Sequence, residues 1–299
     1  MSHIHIGLSG RYTIEKRNAD GDVVQALEFD NLITDAGLER WGTAGVIDRC
    51  YLGSGSATPA VTDTAMAMPL ANTTTTDTAP AATYDAAVRS QTLYNKWRFA
   101  PGVGTGDVRE VGVGWVSGLW SRALVLDSNG NPMTISKAAD ESLDVTYAIT
   151  LQFPPSDVVG VVNIKGADHT WTARPYQFSY PVSFSTFGSG WGQDQYKGWA
   201  YAYSGDLGAF PSGSVSGSSL GSSSSSADAA LAYVAASRYR DLKIVFPLNS
   251  GNGSLKTVIY KHQTTHPDGI SLQVGFSPAI PKLATDELTL VVRISWGRA

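Results

Sequence analysis

The chain has 299 residues and a formal net charge of −4, with 16% charged and 42% hydrophobic residues. A nucleic-acid binder carries a basic stripe that neutralises phosphates; no block of Lys and Arg stands in this sequence, so nucleic acid is not an expected partner. The longest apolar stretch, near Val158 to Ile164, falls far short of the ~18 residues of a spanning helix, and membrane insertion is not expected either.

Charge well below the usual ~25% is made up by Gly, Ser, Thr and Ala, which suits short strands, tight turns and surfaces covered by partners. The start, Met1 to Gly10, has no cationic segment followed by a long apolar one, so it does not read as a signal peptide. Synthesis in a reducing cytoplasm is expected. The single cysteine, Cys50, excludes an intramolecular disulfide and paired-Cys metal spacing, and reads as a small buried apolar residue.

In chain order, Ile4 to Arg17 reads as a strand. Asn18-Ala19-Asp20-Gly21-Asp22 is a hairpin turn with Asp-Gly at its centre, and Val23 to Phe29 returns as the second strand. Thr34 to Trp41 is a short helix, capped by Thr34 or Asp35 and ended by Gly42. Cys50 to Leu52 is a short strand. It leads into the loop Gly53 to Met66, and Asn72 to Thr83 is a second Thr- and Ala-rich loop. Gln91 to Ala100, Val108 to Val116 and Ser121 to Leu126 are extended, with a turn at Asp127 to Asn131. Leu143 to Phe153 alternates apolar and polar residues with period two, and Pro154-Pro155 ends it. Twelve of the thirty aromatics fall between Trp171 and Phe210. Residues 212–226 form a Gly/Ser tract, flexible by composition. Ala227 to Ser237 reads as a short helix, and Leu242 to Phe246, Leu255 to His262, Ile270 to Phe276 and Leu288 to Trp296 as closing strands.

The chain repeats itself. Ile135-Ser136-Lys137-Ala138-Ala139-Asp140-Glu141-Ser142-Leu143-Asp144-Val145 matches Ile280-Pro281-Lys282-Leu283-Ala284-Thr285-Asp286-Glu287-Leu288-Thr289-Leu290 without a gap, 145 residues on. Gly104 to Val111 matches Gly251 to Val258, 147 residues on. Two matches in one order at nearly one offset predict two related β-modules. The expected fold is therefore all-β: two tandem β-sandwich-like modules, residues 1–155 and 156–299, with a short N-terminal helix and long Gly/Ser/Thr loops.

No motif with catalytic chemistry sits in the required context. Gly217 to Gly221 fits the nucleophile-elbow pattern but lies inside a serine tract, without the strand–turn–helix that the elbow needs. The glycines of Gly102 to Gly106 precede a strand, not the helix that a phosphate loop opens. Asp127 to Asn131 resembles the start of a calcium loop, yet Ala138 stands where its bidentate Glu belongs. His262 and His266 are followed at once by Pro267 and read as a strand end. His3 and His5 share one strand face, a pair that holds a metal only if subunits meet on an axis. No enzyme activity, cofactor or metal is expected. The candidate surface is aromatic: Trp191, Trp199, Tyr201 and Tyr203, the last three on one strand face. Such a face packs into a core or subunit interface, or stacks on sugar rings.

Several segments resemble a family of tail-tip, baseplate and tail-fibre-associated structural proteins of tailed bacteriophages. They are Asn31-Leu32-Ile33-Thr34-Asp35-Ala36-Gly37-Leu38; Leu52-Gly53-Ser54-Gly55 with Pro59 to Ala65; Arg109-Glu110-Val111-Gly112-Val113-Gly114-Trp115; Ser121-Arg122-Ala123-Leu124; and Leu143 to Tyr147. The resemblance spans roughly residues 28–153 and again Ile280 to Arg298, and leaves 165–245 unmatched. It implies a virion structural protein of the tail that assembles as a homo-oligomer, with a trimer expected, and attaches fibres or other tail proteins. Because the chain lacks long coiled coils and repetitive shaft segments, a tail-tip or baseplate part is expected rather than a whole fibre. The alternative is a receptor-binding tail-fibre module that recognises host surface glycan.

Overall fold

The computed structural model describes residues 2–43, 47–179, 184–188, 199–211, 213–224, 228–261 and 271–299, without the side chains of residues 2, 186, 188 and 199. The protein is all-β. Its largest sheet has nine strands and is organised by the first one, Ser2–Arg17. On one flank this strand pairs antiparallel with Ser142–Gln152, Gly7 opposite Gln152 and Arg17 opposite Ser142. The other flank is shared. Leu288–Arg298 runs parallel to Ser2 through Leu8, and Val23–Asp30 returns against Arg11 through Arg17. Ser90–Phe99 and Tyr239–Phe246 extend the sheet on the two sides. Two shorter strands, Thr76–Asp77 and Thr83–Asp85, close it beyond Ser90–Phe99, and Ala229–Ala230 closes it beyond Tyr239–Phe246.

Two smaller sheets cover its inner face. One orders Leu32–Ile33, Gly118–Leu124, Glu110–Trp115, Arg49–Gly53 and Pro69–Thr73; the other orders Val158–Ile164, Ala167–Pro175, Ser271–Lys282, Gly253–Lys261, Trp199–Tyr203 and Ser219–Ser222. A two-stranded ribbon joins Ile135–Lys137 to Gly106–Val108. Period-two patterning decides which side faces in: Leu143, Val145, Tyr147, Ile149 and Leu151 are each fully buried. Several buried polar tips find partners across the layers. The Tyr12 hydroxyl lies 2.7 Å from Ser121 Oγ, and Trp120 Nε1 donates to the Tyr147 hydroxyl at 2.9 Å. Trp41, Trp120, Phe187 and Trp296 fill the space between helix and sheets, with Trp41 and Phe187 ring centroids 4.8 Å apart. The aromatic-rich segment thus supplies part of the core through Trp171, Phe178 and Phe187.

The sequence repeat is also a repeat of register. Leu143 pairs with Phe99 as Leu288 pairs with Phe246, and Ile135 with Val108 as Ile280 with Leu255. Gly104 and Gly106 have φ of 67° and 124°, and Gly251 and Gly253 have 74° and 124°; each pair occupies a conformation that favours glycine. Lys137 Nζ donates to Ala100 O at 3.3 Å, and Lys282 Nζ to Pro247 O at 2.7 Å. The two matched strands flank Ser2–Arg17 in one sheet, so a boundary near residue 155 divides the chain without dividing the sheet.

The structure corrects three local expectations. The helix spans Asp35–Thr43: Thr34 caps it, accepting from Gly37 N at 2.9 Å. Gly42 lies within it rather than ending it, and a Cβ there would stand 2.4 Å from Tyr233 Cε2 and 2.8 Å from Trp296 Cζ2, so packing requires the glycine. The described part of Ala227–Ser237 is not helical. Asp228 accepts from Val245 N at 2.7 Å, Ala229–Ala230 joins the edge of the nine-stranded sheet, and Leu231 N bonds Asp241 O, so ladder bonds override alanine's helix propensity. The described part of the Gly/Ser tract is tied down rather than flexible by composition. Ser219–Ser222 pairs with Trp199–Tyr203, and Ser223 Oγ accepts from Ala200 N at 2.8 Å.

Candidate interaction surface

The strand Trp199–Tyr203 alternates as expected. Ala200 and Ala202 are fully buried on the core side, which places Tyr201 and Tyr203 together on the opposite face, both half-buried. Part of that face is covered from within the chain. Thr257 Oγ1 donates to Gly205 O at 2.8 Å, and Gln273 Oε1 accepts from Gly208 N at 2.8 Å. Leu207 sits over Gly275, where a Cβ would stand 2.8 Å from Leu207 Cγ. Trp191, and with it His262 and His266, lies outside the described residues. Tyr176 lies close enough that Lys261 Nζ sits 5.6 Å from its ring centroid. Burial, then the neighbouring Tyr203, pushes the Tyr176 hydroxyl above its ordinary value.

Four of the segments quoted above, Asn31 to Leu38, Leu52 to Ala65, Arg109 to Trp115 and Ser121 to Leu124, meet at a different place. Glu110 is fully buried, in a strand whose other face supplies Val111 and Val113 to the core. Its carboxylate accepts from Gly55 N at 3.1 Å, Ala67 N at 3.2 Å and Met68 N at 2.8 Å, and from Arg122 Nε at 2.6 Å. Arg122, only 3% exposed, also donates to Asp63 Oδ2 at 2.7 Å and Ala57 O at 2.8 Å. The glycines of Leu52-Gly53-Ser54-Gly55 leave the carboxylate its room: a Cβ at Gly53 or Gly55 would stand 2.4 or 2.5 Å from Glu110 Oε1. A charged pair removed from water needs every lone pair and proton bonded, and here the partners are the backbone of the loop 54–68. The loop is thereby clamped at both ends, and Val61 O accepts from Asp35 N at the helix start. On its outer side Val61 and Met68 are exposed, as is Leu70 in the strand that follows. Sequence reading placed a loop here and missed the clamp. The available signal was one acid and one arginine inside otherwise apolar strands.

The outer face of the nine-stranded sheet is polar. Asp144, fully buried in its side chain, binds Arg98 Nε at 2.7 Å, Arg17 Nε at 2.9 Å and Lys96 Nζ at 3.2 Å. Burial opposes ionisation, but Arg98, Arg17 and Lys96 outweigh it and hold this carboxyl down at about 2. Beside it a depression of about 670 Å³ is lined by residues that include Arg11, Glu28, Asp30, Thr92, Tyr94 and Thr150. Arg11 bridges Glu28 at 2.6 Å and Asp30 at 3.0 Å.

His3 and His5 both reach Ser295 Oγ, at 2.7 and 2.9 Å. No group of three metal-ligating side chains occurs among the described residues. Cys50 is buried and unpaired, and burial pushes its thiol well up. Among the described residues no helix is long and apolar enough to cross a membrane. No family model, curated protein or solved structure matches this chain.

Proposed function

We propose that this chain is a structural component of a phage tail tip or baseplate. It is made in the bacterial host cytoplasm, is carried in the virion, assembles as a homo-oligomer and attaches fibres or other tail proteins. The observation that carries this reading is the clamped loop 54–68. A loop this long without secondary structure of its own is usually either functional or disordered. Here a buried ion pair holds it in one shape while Val61 and Met68 face outward, and a preformed apolar surface is what an assembly contact requires. Four of the segments that resemble tail proteins meet at the clamp: the helix start ties to Val61 O through Asp35 N, the Gly53–Gly55 pair admits Glu110, and Arg122 closes the network; Leu143 to Tyr147 and Ile280 to Arg298 lie outside it. Their chemistry is spent on holding backbone. Mass spectrometry of purified particles of the encoding phage, with immunogold labelling, tests the reading. Signal at the tail tip is expected, and absence from the particles overturns it.

A second reading, recognition of host surface glycan, is favoured by the 670 Å³ depression. It combines an aromatic ring, Tyr94, with carboxylates, a guanidinium and hydroxyls, the mixture that binds sugar rings and their hydroxyl groups. Adsorption to host cells and glycan arrays with Tyr94→Ala decides it; unchanged binding by a folded variant removes this role.

A further inference from the structure

Most sheet margins in this protein are protected. The nine-stranded sheet ends in Ala229–Ala230 on one side and in Thr76–Asp77 and Thr83–Asp85 on the other. The five-stranded sheet ends in the dipeptide Leu32–Ile33 and in Pro69–Thr73, which opens on proline and has a register shift in its ladder. Ser219–Ser222 is four residues long and also has a shifted ladder. Val23–Asp30 is longer, but it carries Glu28 and Asp30 and a bulge in its pairing. Short strands, charges, proline and bulges are the devices that stop edges from pairing with other chains.

Val158–Ile164 has none of them. Its seven residues, VVGVVNI, include five β-branched ones and no charge. It pairs with Ala167–Pro175 in unbroken register, from Val158 opposite Ala173 to Ile164 opposite Ala167. No strand pairs with its other edge among the described residues. Val159 and Val161 stand side by side on the outer face, 60% and 64% exposed. On the inner face an apolar cleft of about 320 Å³ reaches this strand, lined by residues that include Val162, Ile164, Ile244, Phe276, Leu290 and Val292.

We propose that Val158–Ile164 pairs antiparallel with the same strand of a second copy, about a two-fold axis through Val161, a pairing that rests on the homo-oligomeric reading above but sets a two-fold dimer in place of the trimer expected from the resemblance. A two-fold interface must be self-complementary, and this edge is. With Val161 opposite itself, Val158 meets Ile164, Val159 meets Asn163, and the ends bring Asp157 opposite Lys165. The charges beyond those ends match. At one end Arg89 and Arg174 share the single carboxylate of Asp157. At the other, Lys165 pairs with Asp286, and Asp168 adds a second carboxylate beside Asn163. Two cations with one anion thus face one cation with two anions, twice over. The added strand satisfies the open backbone groups, covers the exposed valines and closes the side of the cleft.

Light scattering on the full chain and on two variants tests this. Wild type is expected as a dimer. Val161→Lys sets two ammonium groups against each other on the axis, and the dissociation constant is expected to rise roughly 100-fold or more while circular dichroism stays unchanged. Val161→Cys is expected to form a covalent dimer under mild oxidation, since directly opposed Cβ atoms lie about 4.5–5.5 Å apart. Val23→Cys, exposed on a different margin, is the control expected not to cross-link. The only native cysteine, Cys50, is buried and gives no background. An oligomer that survives Val161→Lys and shows no Val161→Cys cross-link, or a trimer, overturns the edge pairing and leaves the homo-oligomeric reading standing. A wild-type monomer overturns both and leaves the edge to a different chain. If Val161→Lys fails to fold, the cross-link decides alone.

Discussion

Replacing Glu110 by Gln removes the charge at the centre of the clamp and leaves Arg122 buried. Glu110 accepts three loop amides and the Arg122 guanidinium, and both side chains are almost fully removed from solvent. Breaking a buried ion pair by removing one partner costs about 3–5 kcal/mol. Asp63 still bonds Arg122 Nη1, so the lower end, about 3 kcal/mol, is expected. For a chain of this size that lowers Tm by roughly 5 °C. The loop opens before the rest of the chain, because its amides lose a charged acceptor while the core keeps its apolar contacts. Thermolysin, which cuts before apolar residues, then cleaves near Val61 under conditions where wild type resists, and circular dichroism melting gives the stability change. The double variant Glu110→Gln/Arg122→Met removes the stranded charge and is expected to be more stable than Glu110→Gln alone, the sign that separates a desolvated charge from lost packing. A Tm change below about 2 °C with unchanged cleavage would refute the clamp.

Gly37→Ala reverses the usual helical preference. Alanine ordinarily gains up to ~1 kcal/mol over glycine inside a helix, but here its Cβ would stand 2.6 Å from Trp120 O and 2.8 Å from Trp120 Cα; a loss of about 1–3 kcal/mol is expected, and a raised melting temperature would contradict the packing. Acid weakens the fold through Asp144. Its carboxyl titrates at about 2 when folded, against an ordinary 3.8, so its contribution of about 2 kcal/mol is present above pH 4, fades as the pH falls through 2, and does not change on the alkaline side. Urea midpoints at pH 5, 3 and 2 should converge between wild type and Asp144→Asn as the pH falls; parallel curves would sink the assignment.

Much of the fold was legible because alternation is a local signal with a global cause. Leu143 to Leu151 shows its buried face in the order of its residues, and the Asp20-Gly21 turn dictates the hairpin that Val23–Asp30 completes. The segment Ala229–Ala230 was misread for the opposite reason. Two alanines carry helix propensity, and the strand bonds that capture them come from Leu242 and Lys243, a dozen residues later. The aromatic stretch was legible as a strand face at Tyr201 and Tyr203. That Phe187 inserts between Trp41 and Trp120 was not, since those three residues are brought together only by the layers.

By itself the sequence determined the all-β class, the alternating core faces, the turn residues and the repeated pairs, because backbone geometry and hydrophobic period act over a few residues. The tertiary structure alone decided three things. Ser2–Arg17 joins the two matched ladders into one sheet. Glu110 and Arg122 meet under the loop 54–68. Val158–Ile164 ends its sheet with an unguarded edge. Each depends on which strand lies beside which, and that order is set by burial across the whole chain.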